Sequence, residues 1–232
     1  QTRTCSSLCL SVSLFLYQSL QHIHSKIGIV EKLLLDLDND LTVSQKERHR
    51  RLVSAVPSQG FAQSGITGNM NALSVAMFAG TPTIVEMLLK RGFDPKLTDI
   101  AGNNPLHLAC ASNRVANVMY WLNRFPNWNL EASNNITGGV ALGVAVYMGP
   151  NRLELTKLLL KAGARIDSLT HTGTSILTSI CSNEDADPDV LRFILNHYTQ
   201  NINFRMQATN SKWKIIHIIA KIAVRVFNTS NG

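Results

Sequence analysis

The chain has 232 residues, 45% of them hydrophobic, 6% aromatic and 16% charged, with 22 Lys and Arg against 15 Asp and Glu for a formal charge of +7. That apolar content excludes an intrinsically disordered chain, and a hydrophobic content made mainly of Leu, Ile, Val and Ala favours packed helices over a β-sandwich. The four cysteines, Cys5, Cys9, Cys110 and Cys181, are too few and too scattered for a disulfide framework or a four-ligand zinc site.

In chain order, the first apolar run, Leu8 to Leu20, is too short to cross a bilayer of about 30 Å as a helix. It reads as a packed helix or a poorly ordered end. A signal-peptide core is the alternative, although only Arg3 flanks it and no small-residue cleavage site follows. Ile27 to Leu35 has the pattern of an amphipathic helix. The stretch after it carries Asp36 to Asp40, a helix predicted over Ser44 to Ala55, and a Gly/Ser/Gln segment. Within that helix, Lys46, Arg48, His49, Arg50 and Arg51 form the one dense basic cluster, and no aromatic residue interleaves with it as a single-strand nucleic-acid site would require. The cluster reads as a solvated helical face. A chain that begins with Gln1 and ends soon after its last apolar pattern at Phe227 is expected to be a piece of a longer one.

From residue 66 a repeat sets in. Asn71 to Ala76 predicts a short helix, Gly80 a break, and Thr83 to Leu89 a second helix closed by Lys90, Arg91 and Gly92, two cations for the helix dipole and a glycine for the left-handed cap. Asp99-Ile-Ala-Gly-Asn-Asn-Pro-Leu-His-Leu-Ala109 predicts a tight turn at Gly102 and a helix started by Pro105. Ala141 to Gly149 with Leu158 to Ala164, and Gly173 to Leu177 with Val190 to Leu195, repeat the pattern. The equivalent leucines Leu73, Leu106, Leu142 and Leu177 are 33, 36 and 35 residues apart, and the excess falls in stretches rich in Asn, Asp or Pro, at 125–135, 150–153 and 185–188. Lys214 to Val226 begins one more unit.

The stretch Asp99 to Ala109 resembles the ankyrin signature of Asp and Gly followed by Thr-Pro-Leu-His and Ala, and the resemblance is clearest over residues 66–198. It implies an all-α fold, an ankyrin-repeat solenoid of stacked helix-turn-helix units with hairpin-like loops. About four clear repeats are expected, near 66–98, 99–134, 135–169 and 170–208, with a partial one at 209–232. Residues 1–25 form a separate apolar, Ser-rich segment, and 26–65 a degenerate repeat helix followed by a cap or insertion. Each such hairpin is too small to bury its own apolar face, so neighbours must stack.

Little is left over for chemistry. Of the seven histidines, His22, His24, His49, His107, His171, His197 and His217, the resemblance gives His107 a structural hydrogen bond, while His171 in its turn faces solvent and suits a partner contact. Cys110 and Cys181 share an offset just after the signature, where close packing asks for a compact side chain, and neither has a base and orienting group in a recognisable order. Gly138-Gly139 and Gly173 are turn glycines without a phosphate-binding motif, and the alternating Asp185, Asp187 and Asp189 lack the glycine and closing glutamate of a calcium loop. No catalytic residue, cofactor or metal is expected, and the chain is read as a non-enzyme.

Binding is the remaining role. The resemblance implies a concave face made by the turn tips and first helices, and it places there Thr67, Met70 and Phe78, then Ile100, Asn103 and Ser112, then Ile136, Tyr147 and Met148, and finally His171, Thr174 and Asn183. Six of these are large apolar side chains flanked by Asn, Thr and His, the composition of an interface core and rim. They are expected to meet a protein partner, with an adjoining domain of the same chain as the alternative. Neither nucleic acid nor membrane is the expected target, and the chain is read as a monomer of the cytoplasm, with the nucleus as the other compartment open to it. The main alternative is the regulatory or substrate-recruiting arm of a larger enzyme, channel or ubiquitin-ligase-type protein.

Overall fold

The structure, a computed structural model, describes residues 71–147, 151–183 and 187–200. Thr67, Met70, Met148, the basic cluster and both ends of the chain lie outside the described residues. The helices are α1 Ala72–Ala79, α2 Pro82–Lys90, α3 Pro105–Ala111, α4 Val115–Arg124, α5 Ala141–Tyr147, α6 Leu153–Lys161, α7 Ile176–Ser182 and α8 Pro188–Gln200. Among the described residues the only extended pairings are two isolated bridges, Ser133 with Val140 and Leu169 with Ser175. The fold is all-α, as the composition implies.

The chain divides into two compact units. The first holds residues up to Trp128 together with Asn134–Ile136, and the second holds Asn129–Ser133 and everything from Thr137 onward. Within the first unit α1 packs on α2 and α3, and α4 packs on α2 and α3. Within the second, α5 packs on α6 and α7, and α8 packs on α6 and α7.

The helices fall into two kinds for a compositional reason. In the first unit the short first helices are apolar almost all round and are buried accordingly: α1 exposes only part of Phe78, and α3 buries Pro105 through Cys110. The second helices are one-sided. They bury Ile84, Val85 and Leu88 in α2, Asn117, Val118 and Trp121 in α4, Leu155, Thr156 and Leu159 in α6, and Val190, Leu191 and Ile194 in α8. Those are the i, i+1 and i+4 positions of one face, at the same register in each pair.

The starts of α1, α3 and α7 are fixed by side-chain caps. Asn71 Oδ1 accepts the N–H of Ser74 at 2.8 Å, and Ser175 Oγ accepts that of Thr178 at 3.1 Å. At α3 the cap is reciprocal: Asn104 Oδ1 accepts the His107 N–H at 3.1 Å, while the Asn104 N–H donates to His107 Nδ1 at 3.2 Å. This is the structural role expected for His107, and it is a capping box with an imidazole in place of the usual carboxylate or amide. Asn104→Ala should therefore lower stability by about 1 kcal/mol, read as a shifted urea midpoint, with the slope of the transition unchanged.

The helix ends are equally explicit. In α2 the Phe93 N–H donates to Leu88 O and the Gly92 N–H to Leu89 O, with Gly92 at φ +84°; in α6 Ala164 and Gly163 repeat the arrangement with Gly163 at φ +100°. In α3 Asn113 takes the left-handed position at φ +56°. These are Schellman ends, and the left-handed residue is a glycine or an asparagine because a Cβ is costly there.

One loop reading changes. Residues 125–135 are expected to be a polar insertion, yet the start of that stretch folds back on α4. The Trp121 ring lies 4.7 Å from Phe125 and 5.1 Å, edge-on, from Trp128. Aromatic area at both ends of a short turn gains more by clustering than by solvation. The indole N–H groups of Trp121 and Trp128 are buried without a hydrogen-bond partner, a cost that the clustering of the rings has to offset.

Candidate protein-binding surface

The turn between helix pairs is built from its own polar groups. In the first unit the buried Asp99 carboxylate accepts three bonds: from Ala101 N–H at 2.9 Å, Asn103 N–H at 2.8 Å and Asn103 Nδ2 at 3.0 Å. Gly102, at φ +76°, closes the turn. The next turn is tied to it, with Asn135 N–H donating to Ala101 O at 2.8 Å and Asn134 Nδ2 to Asn103 Oδ1 at 3.1 Å. With polar groups turned inward, the side chains left pointing out are apolar. Ile100 is 60% exposed and Ile136 67% exposed, each two residues before the turn glycine.

The second unit repeats the construction with different chemistry. His171 N–H donates to Thr137 O at 2.9 Å, and Thr170 Oγ1 takes the part of the Asp99 carboxylate by accepting the Thr174 N–H at 3.0 Å. The hydroxyls of Thr170, Thr172 and Thr174 form a line with 3.0 Å steps. His171 occupies the place of Ile100 and Ile136 and is exposed, as its sequence position implies. Glu131 braces the unit by accepting the Arg165 backbone N–H at 2.8 Å and the Ser168 hydroxyl.

The remaining candidates are less uniform. Phe78 is only half exposed, and its carbonyl accepts from Arg114 Nε at 3.4 Å. Asn103 is half-buried and committed to Asp99 and Asn134, and Ser112 Oγ donates to Leu108 O within its own helix. Tyr147 is 49% exposed, and Asn183 Nδ2 donates to its carbonyl. Sequence reasoning omitted Met119 and Leu169, 47% and 58% exposed. Met119 was legible, because it lies off the face defined by Asn117, Val118 and Trp121. Leu169 was not, since it precedes the turn at a position where an apolar residue suits a strand pair as well as a contact.

The titratable groups are those of a folded surface. Hydrogen bonds from the Arg165 guanidinium hold the Asp167 carboxyl below its usual range, and the same bonds raise Arg165. Burial, then the charge of Glu86, raises Tyr120, and burial pushes the Cys181 thiol up to about 11, which keeps it protonated near neutrality. Among the described residues no three His, Cys, Asp or Glu side chains converge to hold a metal, and no helix is long and apolar enough to cross a membrane.

A family model described as ankyrin repeats, in three copies, matches residues 72–170. Residues 72–170 are ankyrin repeats. Ankyrin repeats are protein-interaction modules, and the family is generally non-catalytic. Over 99 residues, 41% of its length, the chain is 33% identical to NF-kappa-B inhibitor alpha of Sus scrofa and of Homo sapiens. A second similarity, 34% identity over 112 residues, is to the phosphocholine transferase AnkX of Legionella pneumophila. The matched stretch spans 31% of the inhibitor and 11% of the transferase.

Proposed function

We propose that this chain is a non-catalytic protein-interaction module that takes its partner on the turn tips and the exposed side of the first helices. Ile100 and Ile136 carry the reading. Two aliphatic side chains stand more than half exposed on successive tips whose polar groups are already satisfied by one another. Such a surface gains by apolar burial and offers few unsatisfied polar groups to a ligand. Similarity to an inhibitor named for the protein it acts on supports a role exercised by binding.

The test is the double substitution Ile100→Ser with Ile136→Ser, applied to a partner recovered by affinity capture with the whole chain. Each side chain is worth about 1.5–3 kcal/mol when fully buried, so affinity should fall about a hundredfold or more. The melting temperature should stay within about 1 °C, because neither residue contributes to the core. Unchanged affinity would remove the tips from the interface. Because the tips are apolar, raising salt from low to physiological levels should change the wild-type affinity by less than about threefold, whereas binding through the basic cluster would fall steeply.

A second reading is favoured by the transferase similarity: the stretch resembling this chain is part of a protein named as an enzyme, of which it spans 11% of the length. On that reading the chain is the recruiting arm of a larger protein, and the complete reading frame decides between the two.

A further inference from the structure

The segment between α6 and the turn at Thr170 carries a modification signal that the binding surface does not use. Arg165 stands three residues before Ser168, and no other Ser or Thr among the described residues has an arginine at that distance. The same spacing recurs at Arg3 and Ser6 and at Arg51 and Ser54, outside the described residues. An arginine so placed is the group that basophilic serine kinases hold with their own carboxylates. Arg165 is within reach of such a contact. Its guanidinium bonds Asp167 at 3.0 Å through both Nε and Nη2, but the two side chains are 66% and 52% exposed, and an ion pair so solvated is weakly held. Residues 164–168 lie outside any helix or bridge, with Arg165 and Asp167 exposed and Ser168 half-buried.

What a phosphate would do at Ser168 follows from the partners of its hydroxyl. Ser168 Oγ donates to Glu131 Oε2 and lies 3.1 Å from Arg165 O, while Glu131 Oε1 accepts the Arg165 backbone N–H at 2.8 Å. One carboxylate therefore ties positions 131, 165 and 168 together within the second unit. A phosphorylated Ser168 has no hydroxyl proton to give, and it sets a charge of about −1.5 to −2 against that carboxylate near neutral pH. Asp167 adds to the repulsion, and the Arg165 guanidinium is the cation at hand to exchange Asp167 for the phosphate.

We infer that Ser168 is an acceptor for a basophilic serine kinase, and that its phosphorylation releases the Glu131 brace. In that step Ser168 Oγ attacks the γ-phosphorus of a nucleoside triphosphate. The new O–P bond forms as the bond to the bridging oxygen of the departing nucleoside diphosphate breaks, and the hydroxyl proton passes to the kinase's catalytic carboxylate. The inference goes beyond the protein-binding reading and does not depend on it.

The probe is the whole chain incubated with ATP and a kinase that requires arginine three residues before its acceptor. Mass spectrometry should map a phosphate to Ser168, absent in Ser168→Ala. Arg165→Ala should slow that transfer at least about tenfold without lowering the melting temperature, since its backbone N–H still reaches Glu131. Amide exchange then reads the brace: the Arg165 N–H should exchange at least about tenfold faster in the phosphorylated chain and in Ser168→Asp. Ser168→Ala carried through the same treatment separates this effect from phosphates at Ser6 or Ser54. In Glu131→Gln, whose amide can donate to a phosphate, phosphorylation should leave the exchange within about twofold. No phosphate on Ser168, a transfer rate indifferent to Arg165→Ala, or an Arg165 N–H that exchanges at an unchanged rate after phosphorylation would each overturn the inference.

Discussion

Replacing Asn117 with alanine should lower stability by about 2–4 kcal/mol, although the residue makes no contact with any expected ligand. Asn117 stands on α4 at a position occupied by Ile84, Leu155 and Val190 in the other second helices, and it is 1% exposed. Its amide nitrogen lies 3.1, 3.0 and 3.3 Å from the carbonyl oxygens of Ala76, Met77 and Gly80, at and just beyond the end of α1, where Ala76 O also accepts the Gly80 N–H. Removing the donor deprives these carbonyls of that bond and opens a small cavity, and both effects act in the same direction. Asn117→Asp is the sharper variant. It keeps the shape but turns a donor into an acceptor facing acceptors, so it should cost more than alanine near neutral pH and recover part of that loss in acid, where the protonated carboxyl can donate. Urea denaturation at two pH values reads both effects. A loss below about 1 kcal/mol for alanine would mean that α1 satisfies its end in another way.

The second large effect is a graded one. Gly102, Gly138 and Gly173 hold the same place in three turns, at φ +76°, +71° and +73°. Alanine at any of them incurs the left-handed strain of an L-residue, about 1 kcal/mol. At Gly173 the strain is the cost, because an added Cβ meets nothing within 4 Å among the described residues. At Gly102 the Cβ would sit 2.7 Å from Asn135 N and 2.6 Å from its side chain, and at Gly138 it would sit 2.6 Å from His171 N. Those nitrogens make the bonds between successive turns, so the clash breaks the tie as well as straining the backbone. Gly102→Ala and Gly138→Ala should each cost about 2–4 kcal/mol, against about 1 for Gly173→Ala, in thermal or urea unfolding. Equal costs at all three would show that strain alone acts.

Most of the architecture was legible because it rests on short-range chemistry. The recurrence of Leu73, Leu106, Leu142 and Leu177, the turn glycines and the Lys90-Arg91-Gly92 ending each describe a local event that a linear reading can see. Asn117 was not legible, since an asparagine on a helix looks solvent-facing until the carbonyls of α1, some forty residues away, are brought against it. The aromatic fold-back of Phe125 and Trp128 escaped for the same reason, because an Asn- and Pro-rich stretch reads as loop whatever it packs on. Of the candidate surface, the exposure of Ile100, Ile136 and His171 was legible because the ankyrin resemblance places them at turn tips, each two residues before a glycine. That of Phe78 was not, because it depends on how closely Arg114 and the following helix approach it.

The hydrogen bond from Asn135 to Ala101 has a consequence for where such a chain can be labelled. It re-establishes alignment at the turn itself, after the stretch in which this repeat exceeds its neighbours in length. Before that point Phe125 and Trp128 are committed to the ring cluster on Trp121 and Glu131 to Arg165 and Ser168, which leaves the exposed Asn129, between those two anchors, as the place for an engineered label.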